Sequence, residues 1–279
     1  MKPRSGPFTA LVLLWACAAG AAAPPQNPEQ HWADILTHSA GISPQWLQAG
    51  NAKVLALYTA AQPSSGTIII LHNRGTHPDW PAVVHPLRQR LPEYGWSTLS
   101  VQMPVLGPDA SLKDYAGQLD AAGTRIDAAV SFARSHGAST IILLGYGLGA
   151  TMAADYLAHH ANAPIQGFVA VSMSSSDDDP RLNTRVTIDK TQVPILDVYG
   201  SLDRDEVVDA AAQRLARHLR YAYPKQTALP KGPDSAPFAP VPYRQIRITG
   251  ADHDYTDEND VLIRRVRGWL SRLAAAKTP

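Results

Sequence analysis

The sequence predicts an α/β protein built on one mostly parallel β-sheet with helices on both faces. Apolar strand-like runs alternate with amphipathic helical stretches along the chain, which is typical of strands joined by helical crossovers. The run Thr67–Leu71 (TIIIL) is continuous and rich in β-branched residues, as in a strand that is buried on both faces. With 279 residues, of which 45% are hydrophobic, the chain can bury one sizeable core.

The elements follow from hydrophobic spacing and from breakers. Strands are predicted over residues 53–58, 67–71, 96–101, 140–144, 165–171, 193–199 and 243–248. Helices are predicted over residues 29–37, 81–91, 112–136, 148–160, 205–220 and 258–275. Val83, Leu87 and Leu91 recur at helical spacing, and the long helix ends before Gly137. Residues 223–242 hold several prolines and a glycine, which favours an exposed loop or a small lid.

Residues 1–23 predict a cleaved secretory signal. Lys2 and Arg4 precede the apolar run 8–16, and small residues then lead to a cleavage site near Ala23. The apolar run is shorter than the roughly 20 residues that a membrane-spanning helix needs. We therefore expect an exported, periplasmic protein, with residues 24–50 as a linker and short helix and residues 51–279 as the folded domain.

Cys17 gives the N-terminus a second interpretation, because residues 14–17 (LWAC) resemble a bacterial lipoprotein box. Trp15 fits poorly beside the small residues usual there, so export without an anchor is favoured. Attachment to a membrane is expected only if Cys17 is acylated. Since Cys17 is the only cysteine, the folded part has no thiol for a disulfide, a nucleophile or a metal site.

The charge balance gives no sign of a nucleic-acid partner, with 25 basic and 24 acidic residues and a formal net charge of +1. The spacing Gly145-x-Gly147-x-x-Ala150 lies too far along the chain for a dinucleotide-binding fingerprint. One set of metal-ligating residue types is irregularly spaced: His72, His77, Asp79 and His85. We predict no metal, no cofactor, and a small-molecule ligand or substrate whose identity the sequence does not give.

Three predicted loops follow strands at the carboxyl edge, where open parallel sheets place their sites. After the strand 67–71 come His72, Asn73, Arg74 and Gly75. The position of this segment resembles the oxyanion turn of the α/β-hydrolases, which implies that its backbone N–H groups face a developing oxyanion; alternatively the segment is only a turn with Gly75 at positive φ. Asp203 follows the strand 193–199, where that family places an orienting carboxylate, while Asp205 is better placed to cap the next helix. His253 follows the last strand, where the family places its base, and is the candidate base here.

The turn Gly145-Tyr146-Gly147-Leu148-Gly149 precedes Asp203 and His253 along the chain. This is the nucleophile, acid, base order of the α/β-hydrolases. Over roughly residues 50–275 the sequence resembles that superfamily, which implies the α/β-hydrolase fold. The segment HPDWP and the run WSTLSVQMPVL, with the exported start, resemble a group of uncharacterised bacterial α/β-hydrolase-like proteins that has no assigned reaction.

The resemblance places Gly147 where the superfamily holds its nucleophilic serine on a strained strand-to-helix turn. A side chain there costs on the order of 1–3 kcal/mol in backbone strain, whereas glycine adopts such angles easily. Gly147 is thus a vacant nucleophile position, and no acyl-enzyme can form there. Tyr146 and Leu148 flank it and would complete the oxyanion turn.

Three functions remain open at this point. The preferred one is a non-catalytic or ligand-binding protein, because a fold does not imply a function. The second is an atypical, esterase-like hydrolase in which Asp203 orients His253 as a base on water. The third uses a displaced serine, Ser172 or Ser174. A buried acid–base pair facing an open pocket would favour catalysis. A filled pocket would favour the non-catalytic role, with three candidate filling side chains: Arg74, Met103 and Tyr146.

Overall fold

The computed structural model describes residues 27–39, 43–222 and 242–275. The predicted signal segment and nearly all of the loop predicted over residues 223–242 lie outside these ranges. Within them, no helix combines the length and the apolar character that crossing a membrane requires.

Eight strands form one sheet in the order β1-β2-β4-β3-β5-β6-β7-β8. The strands are β1 (Pro44–Ala49), β2 (Ala52–Thr59), β3 (Thr67–Leu71), β4 (Ser97–Val101), β5 (Ile141–Tyr146), β6 (Gly167–Val171), β7 (Ile195–Gly200) and β8 (Tyr243–Ile248). The pairs β1–β2 and β2–β4 are antiparallel. The remaining pairs are all parallel, so the predicted mostly parallel sheet is confirmed.

Helices cover both faces of the sheet. They are α1 (Pro28–Thr37), α2 (Val84–Arg90), α3 (Leu119–Ser135), α4 (Leu148–His159), α5 (Thr184–Lys190), α6 (Asp205–Ala222) and α7 (Asn259–Ala275). Apolar residues of α3, α4 and α5 form one core cluster with the sheet, and those of α2 and α7 form a second cluster. Because four strands, β3 to β6, are buried at every position, the sheet is the middle layer between two cores.

Some predicted elements were wrong or missed. The sequence analysis missed α5, and it missed β1, an edge strand of which only Leu47 and Ala49 are buried. The helix predicted over residues 81–91 begins only at Val84, after Val83 adopts a positive φ of 54°. The helix predicted over residues 112–136 is a 3₁₀ helix, Lys113–Gln118, followed by α3.

The register of two neighbouring strands positions the candidate site. β3 and β5 pair in parallel, with Leu71 opposite Gly145. The chain continues past both strand ends at the same edge, so Asn73 and Gly147, each two residues further on, face one another there. Residues far apart in the sequence therefore meet at the carboxyl edge of the sheet.

Candidate active site at the carboxyl edge of the sheet

Gly147 forms the sharp turn between β5 and α4, with φ of 55° and ψ of −117°. Residues with side chains rarely adopt this combination of angles. The flanking glycines are needed for close approach, since a Cβ on Gly145 would overlap the backbone of Ala150 and one on Gly149 would overlap that of Leu71. These glycines allow α4 to start directly against the sheet.

His253 and Asp203 form a buried pair beside this turn. Nδ1 of His253 lies 2.7 Å from Oδ1 of Asp203, and the two residues are only 7% and 6% exposed. A carboxylate can only accept a hydrogen bond, so Nδ1 carries the proton and Nε2 is left with a lone pair. The structure thus brings together the two residues to which the sequence analysis assigned the acid and base roles.

Several donors converge on the Asp203 carboxylate. The Ser172 hydroxyl donates to Oδ2, and the backbone N–H of Arg204 donates to Oδ1 at 2.9 Å. Burial alone would raise the pKa of Asp203, but the hydrogen bonds from His253 and Ser172 outweigh burial and hold this pKa below its usual value. Asp203 is therefore ionised at neutral pH. Asp205, expected to cap α6, is instead the first residue of that helix.

Ser172 supports the acid from the side away from the imidazole. It has an unusual positive φ of 47°, and its hydroxyl also lies 3.3 Å from the Tyr255 hydroxyl. Ser174 donates its backbone N–H to the Gly147 carbonyl at 3.3 Å. Among the hydrogen bonds of the described residues, none joins a serine hydroxyl to His253, so the geometry does not support the displaced-serine hypothesis.

The Asn73 side chain fills the space above Gly147. Its Oδ1 accepts hydrogen bonds from the backbone N–H groups of Arg74 at 2.7 Å and Leu148 at 2.9 Å. Its Nδ2 lies 3.1 Å from Nε2 of His253 and donates to that lone pair. A Cβ on Gly147 would overlap this carboxamide. Asn73 Oδ1 therefore lies where the predicted oxyanion turn would hold a substrate oxygen.

The sequence analysis placed Asn73 in the oxyanion turn but missed what its side chain does. It also considered three other filling side chains: Arg74, Met103 and Tyr146. A glycine in place of a larger residue leaves volume in a close-packed interior, and a neighbouring side chain is expected to fill it. That reasoning, combined with the β3–β5 pairing, would have pointed to Asn73.

Tyr146 is not available as a substitute nucleophile. Its hydroxyl donates to Asp254 Oδ1 at 2.5 Å, and its ring centroid is 5.4 Å from that of His253. Burial and the bond to Asp254 raise the pKa of Tyr146 well above its usual value and outweigh the opposite effect of the neighbouring Asn73 side chain. The phenol therefore stays protonated and forms one wall beside the imidazole.

His72 holds the oxyanion turn in place. Its Nε2 accepts the backbone N–H of Met103 at 2.9 Å, so Nδ1 carries the proton and donates to the Asn73 carbonyl at 2.9 Å. Complete burial lowers the pKa of His72 to about 3. The neutral ring is thus a structural link, and Gly75 turns the chain beyond it with a φ of 72°.

The histidines near this turn do not assemble a metal site. Asp79 is bound by Arg88 at 2.7 Å and by His85 at 2.8 Å, and the ring of His77 accepts the Asp79 N–H. Within the part of the chain that the structure describes, no group of three or more His, Cys, Asp or Glu side chains is arranged to hold a metal ion.

A cleft of about 370 Å³ opens above Asn73. Asn73 and Leu148 contribute to its floor. Its walls are polar and charged: Arg74, Lys113, Ser174, Asp178, Arg204 and Glu206. A small polar molecule in this cleft would lie directly over the carboxamide that occupies the oxyanion position.

A family model described as "Protein of unknown function (DUF3530)" matches residues 10–122 and 109–272. The chain belongs to the DUF3530 family. No curated protein sequence matches this DUF3530 protein significantly, so the remaining comparisons are structural.

Solved structures share the fold of this DUF3530 protein. Est1E from Butyrivibrio proteoclasticus is 15% identical with a TM-score of 0.61, and the match covers 83% of this chain and 99% of Est1E. A dienelactone hydrolase from Anabaena variabilis is 13% identical with a TM-score of 0.62, covering 83% and 97%. An α/β serine hydrolase without a lid from Xanthomonas campestris is 15% identical with a TM-score of 0.56, covering 84% and 95%. The predicted α/β-hydrolase fold is confirmed.

Proposed function

We propose that this DUF3530 protein is a non-catalytic, ligand-binding member of the α/β-hydrolase fold. The observation that carries the proposal is the Asn73 carboxamide. It accepts both N–H groups of the oxyanion turn, those of Arg74 and Leu148, and donates to His253. The atoms that a substrate acyl group would contact already have partners from the chain itself.

Among the described residues, no nucleophilic side chain is hydrogen-bonded to His253, as a covalent mechanism with this base would need. Gly147 carries no side chain, and the neighbouring Tyr146 phenol is held protonated. Ser172 donates to Asp203 rather than to the base. The only cysteine, Cys17, lies in the predicted signal segment. Ester cleavage through an acyl-enzyme is therefore not expected from this chain.

The intact Asp203–His253 pair supports one alternative, an atypical hydrolase in which His253 activates water. The pair has the bond length and burial that such a role needs. However, Nε2 of His253 already accepts a hydrogen bond from Asn73. A water molecule could take that place only after the Asn73 side chain moved, so this activity would require an opening of the site.

Turnover of a panel of short-chain esters tests the proposal. The mature protein is compared with His253→Ala and with His38→Ala, a matched control at an exposed histidine of the N-terminal helix region. We expect no turnover above the buffer rate in any of the three. Turnover in the natural protein that His253→Ala removes and His38→Ala retains would establish the atypical hydrolase instead.

We also propose that the protein is exported to the periplasm, on the strength of Lys2, Arg4 and the apolar run 8–16. Fractionation of cells that express the whole chain, with the N-terminal mass of the product, checks this. Soluble periplasmic protein that begins near residue 24 is expected. A membrane-bound product whose anchoring is lost in Cys17→Ser would support the lipoprotein alternative.

A further inference from the structure

Asn73 is bound in its site as a separate ligand would be. Its planar carboxamide presents one oxygen to two N–H donors and one nitrogen to a basic ring nitrogen. A carboxylate has the same planar shape, with oxygens at both positions. We propose that the site binds the carboxylate of a small anionic ligand, which takes the place of the Asn73 side chain. This inference rests on the proposed ligand-binding function.

The ligand has a route to this position. Asn73 and Leu148 face the open cleft of about 370 Å³, so a carboxylate entering the cleft reaches the carboxamide first. One of its oxygens would accept the N–H groups of Arg74 and Leu148. The remainder of the ligand would lie in the cleft among its polar side chains. A volume of this size fits a small organic acid.

The charges around the cleft favour an anion. Three cationic side chains line it, those of Arg74, Lys113 and Arg204. In the described ranges, none of the three forms a salt bridge within 4.0 Å, while Arg74 donates to a backbone carbonyl. Of the two acids, Asp178 accepts the Ser176 hydroxyl, and Glu206 lies in the first turn of α6, where a negative charge is favourable.

The exchange requires one proton from solvent. In the structure, Nε2 of His253 accepts a hydrogen bond from the Asn73 side chain. A carboxylate brings no hydrogen, so its oxygen would face the Nε2 lone pair without attraction. Uptake of one proton, shared between Nε2 and the ligand oxygen, resolves this conflict. Asp203 stabilises the imidazolium through Nδ1–H.

Asp203 and Tyr146 contact the His253 ring. The Tyr255 hydroxyl lies 3.3 Å from that of Ser172, and Arg204, Asp252 and Asp254 are chain neighbours of Asp203 and His253. Burial raises the pKa of Tyr146 and of Tyr255, so both phenols stay protonated. The Asp203 carboxylate is ionised and hydrogen-bonded, and hydrogen bonds outweigh burial and hold the pKa of Asp252 below its usual value. The proton therefore enters at His253.

Calorimetric titration with benzoate tests the inference, with benzamide as the uncharged probe of the same shape. The natural protein and Asn73→Ala are titrated at neutral pH in two buffers of different ionisation enthalpy. We expect benzoate to bind Asn73→Ala more tightly than the natural protein, because no internal carboxamide has to leave. Binding should take up a proton, so affinity should fall as the pH rises. Benzamide should bind without proton uptake.

The matched surface variants are Arg204→Gln at the cleft and Arg264→Gln on α7, an exposed arginine away from it. Arg204→Gln should weaken benzoate binding a few-fold, and Arg264→Gln should leave it unchanged. Absence of benzoate binding to folded Asn73→Ala, or binding without proton uptake, would overturn the inference. If Asn73→Ala does not fold, Asn73→Ser replaces it. In the natural protein, the ¹⁵N resonances of the His253 ring must then report protonation on addition of benzoate.

These outcomes are independent of the ester test. Ester turnover by the natural protein would refute the proposed non-catalytic function even if benzoate bound. Absence of both turnover and benzoate binding would leave the proposed function in place and remove only the carboxylate ligand.

Discussion

The two halves of the candidate site differ in what occupies them. In the acid–base half, Asp203 and His253 form a buried pair supported by Ser172. In the nucleophile half, a glycine faces a carboxamide that occupies its space. The first half keeps the arrangement of a proton-transfer pair, and the second offers it no reactant. The comparison teaches that an intact acid and base do not establish catalysis, because the neighbouring groups decide what the base can reach.

The two halves should also differ in their response to acid, because the nucleophile half depends on the neutral His72 ring. The folded pKa of His72, about 3, lies below the value of about 6.5 in an unfolded chain. The unfolded state therefore binds the proton first, and stability falls as pH drops below about 6.5. The loss reaches up to about 1.4 kcal/mol per pH unit, or about 5 kcal/mol by the folded pKa.

Denaturant unfolding of the natural protein between pH 7 and pH 4 measures this slope. His72→Gln, which keeps a donor and an acceptor, should flatten it, while His38→Gln at an exposed site should not. An identical slope in His72→Gln would mean that other groups set the acid response, such as the buried His77 or the half-buried His218, whose pKa values are also lowered by burial.

A serine at position 147 should produce ester turnover only if the Asn73 carboxamide is also removed. Gly147→Ser alone places its side chain against Asn73, so we expect little ester turnover from it. The double variant Asn73→Ala with Gly147→Ser frees both the oxyanion N–H groups and His253. Its rate of ester turnover should exceed that of Gly147→Ser by about 10²–10³-fold. Initial rates on the same ester panel measure the ratio. Equal rates in the single and double variants would show that Asn73 does not close the site.

Removing the charge of Asp203 should weaken the acid–base half. Asp203→Asn loses a charged acceptor that serves His253, Ser172 and the Arg204 N–H, and should cost about 2 kcal/mol of unfolding free energy at pH 7. Because the folded pKa of Asp203 is depressed, this contribution is present above about pH 4 and is lost as the pH falls below it. Denaturant unfolding at pH 7 and pH 3 compares the variant with the natural protein. A deficit of the same size at both pH values would contradict the assignment.

The smallest effect should come from Ser172. Ser172→Ala removes the hydroxyl donor and should cost about 1 kcal/mol. Ser172→Gly loses the same bond but relieves the positive φ of 47°, so it should be less destabilised than Ser172→Ala. Thermal melts of the two variants make the comparison, and the reverse order would show that the backbone at Ser172 is not strained.

Much of the fold followed from local patterns. Continuous apolar runs such as β3 and β5, and the helical spacing of α7, are properties of short segments, and their predicted bounds are close to those observed. The missed β1 has alternating exposure, and only Leu47 and Ala49 are buried. Its place in the sheet depends on pairing with β2 rather than on its own composition.

By itself, the sequence determined the order of the elements other than β1 and α5, and the positions of three candidate site residues at the strand ends, namely Gly147, Asp203 and His253. Chain order and loop position suffice for that, because parallel strands bring their carboxyl ends to one edge. Only the tertiary structure decided that the Asn73 side chain, rather than its backbone alone, fills the site. The pairing of Leu71 with Gly145 brings Asn73 onto Gly147, and such a contact between distant residues has no local signal in the chain.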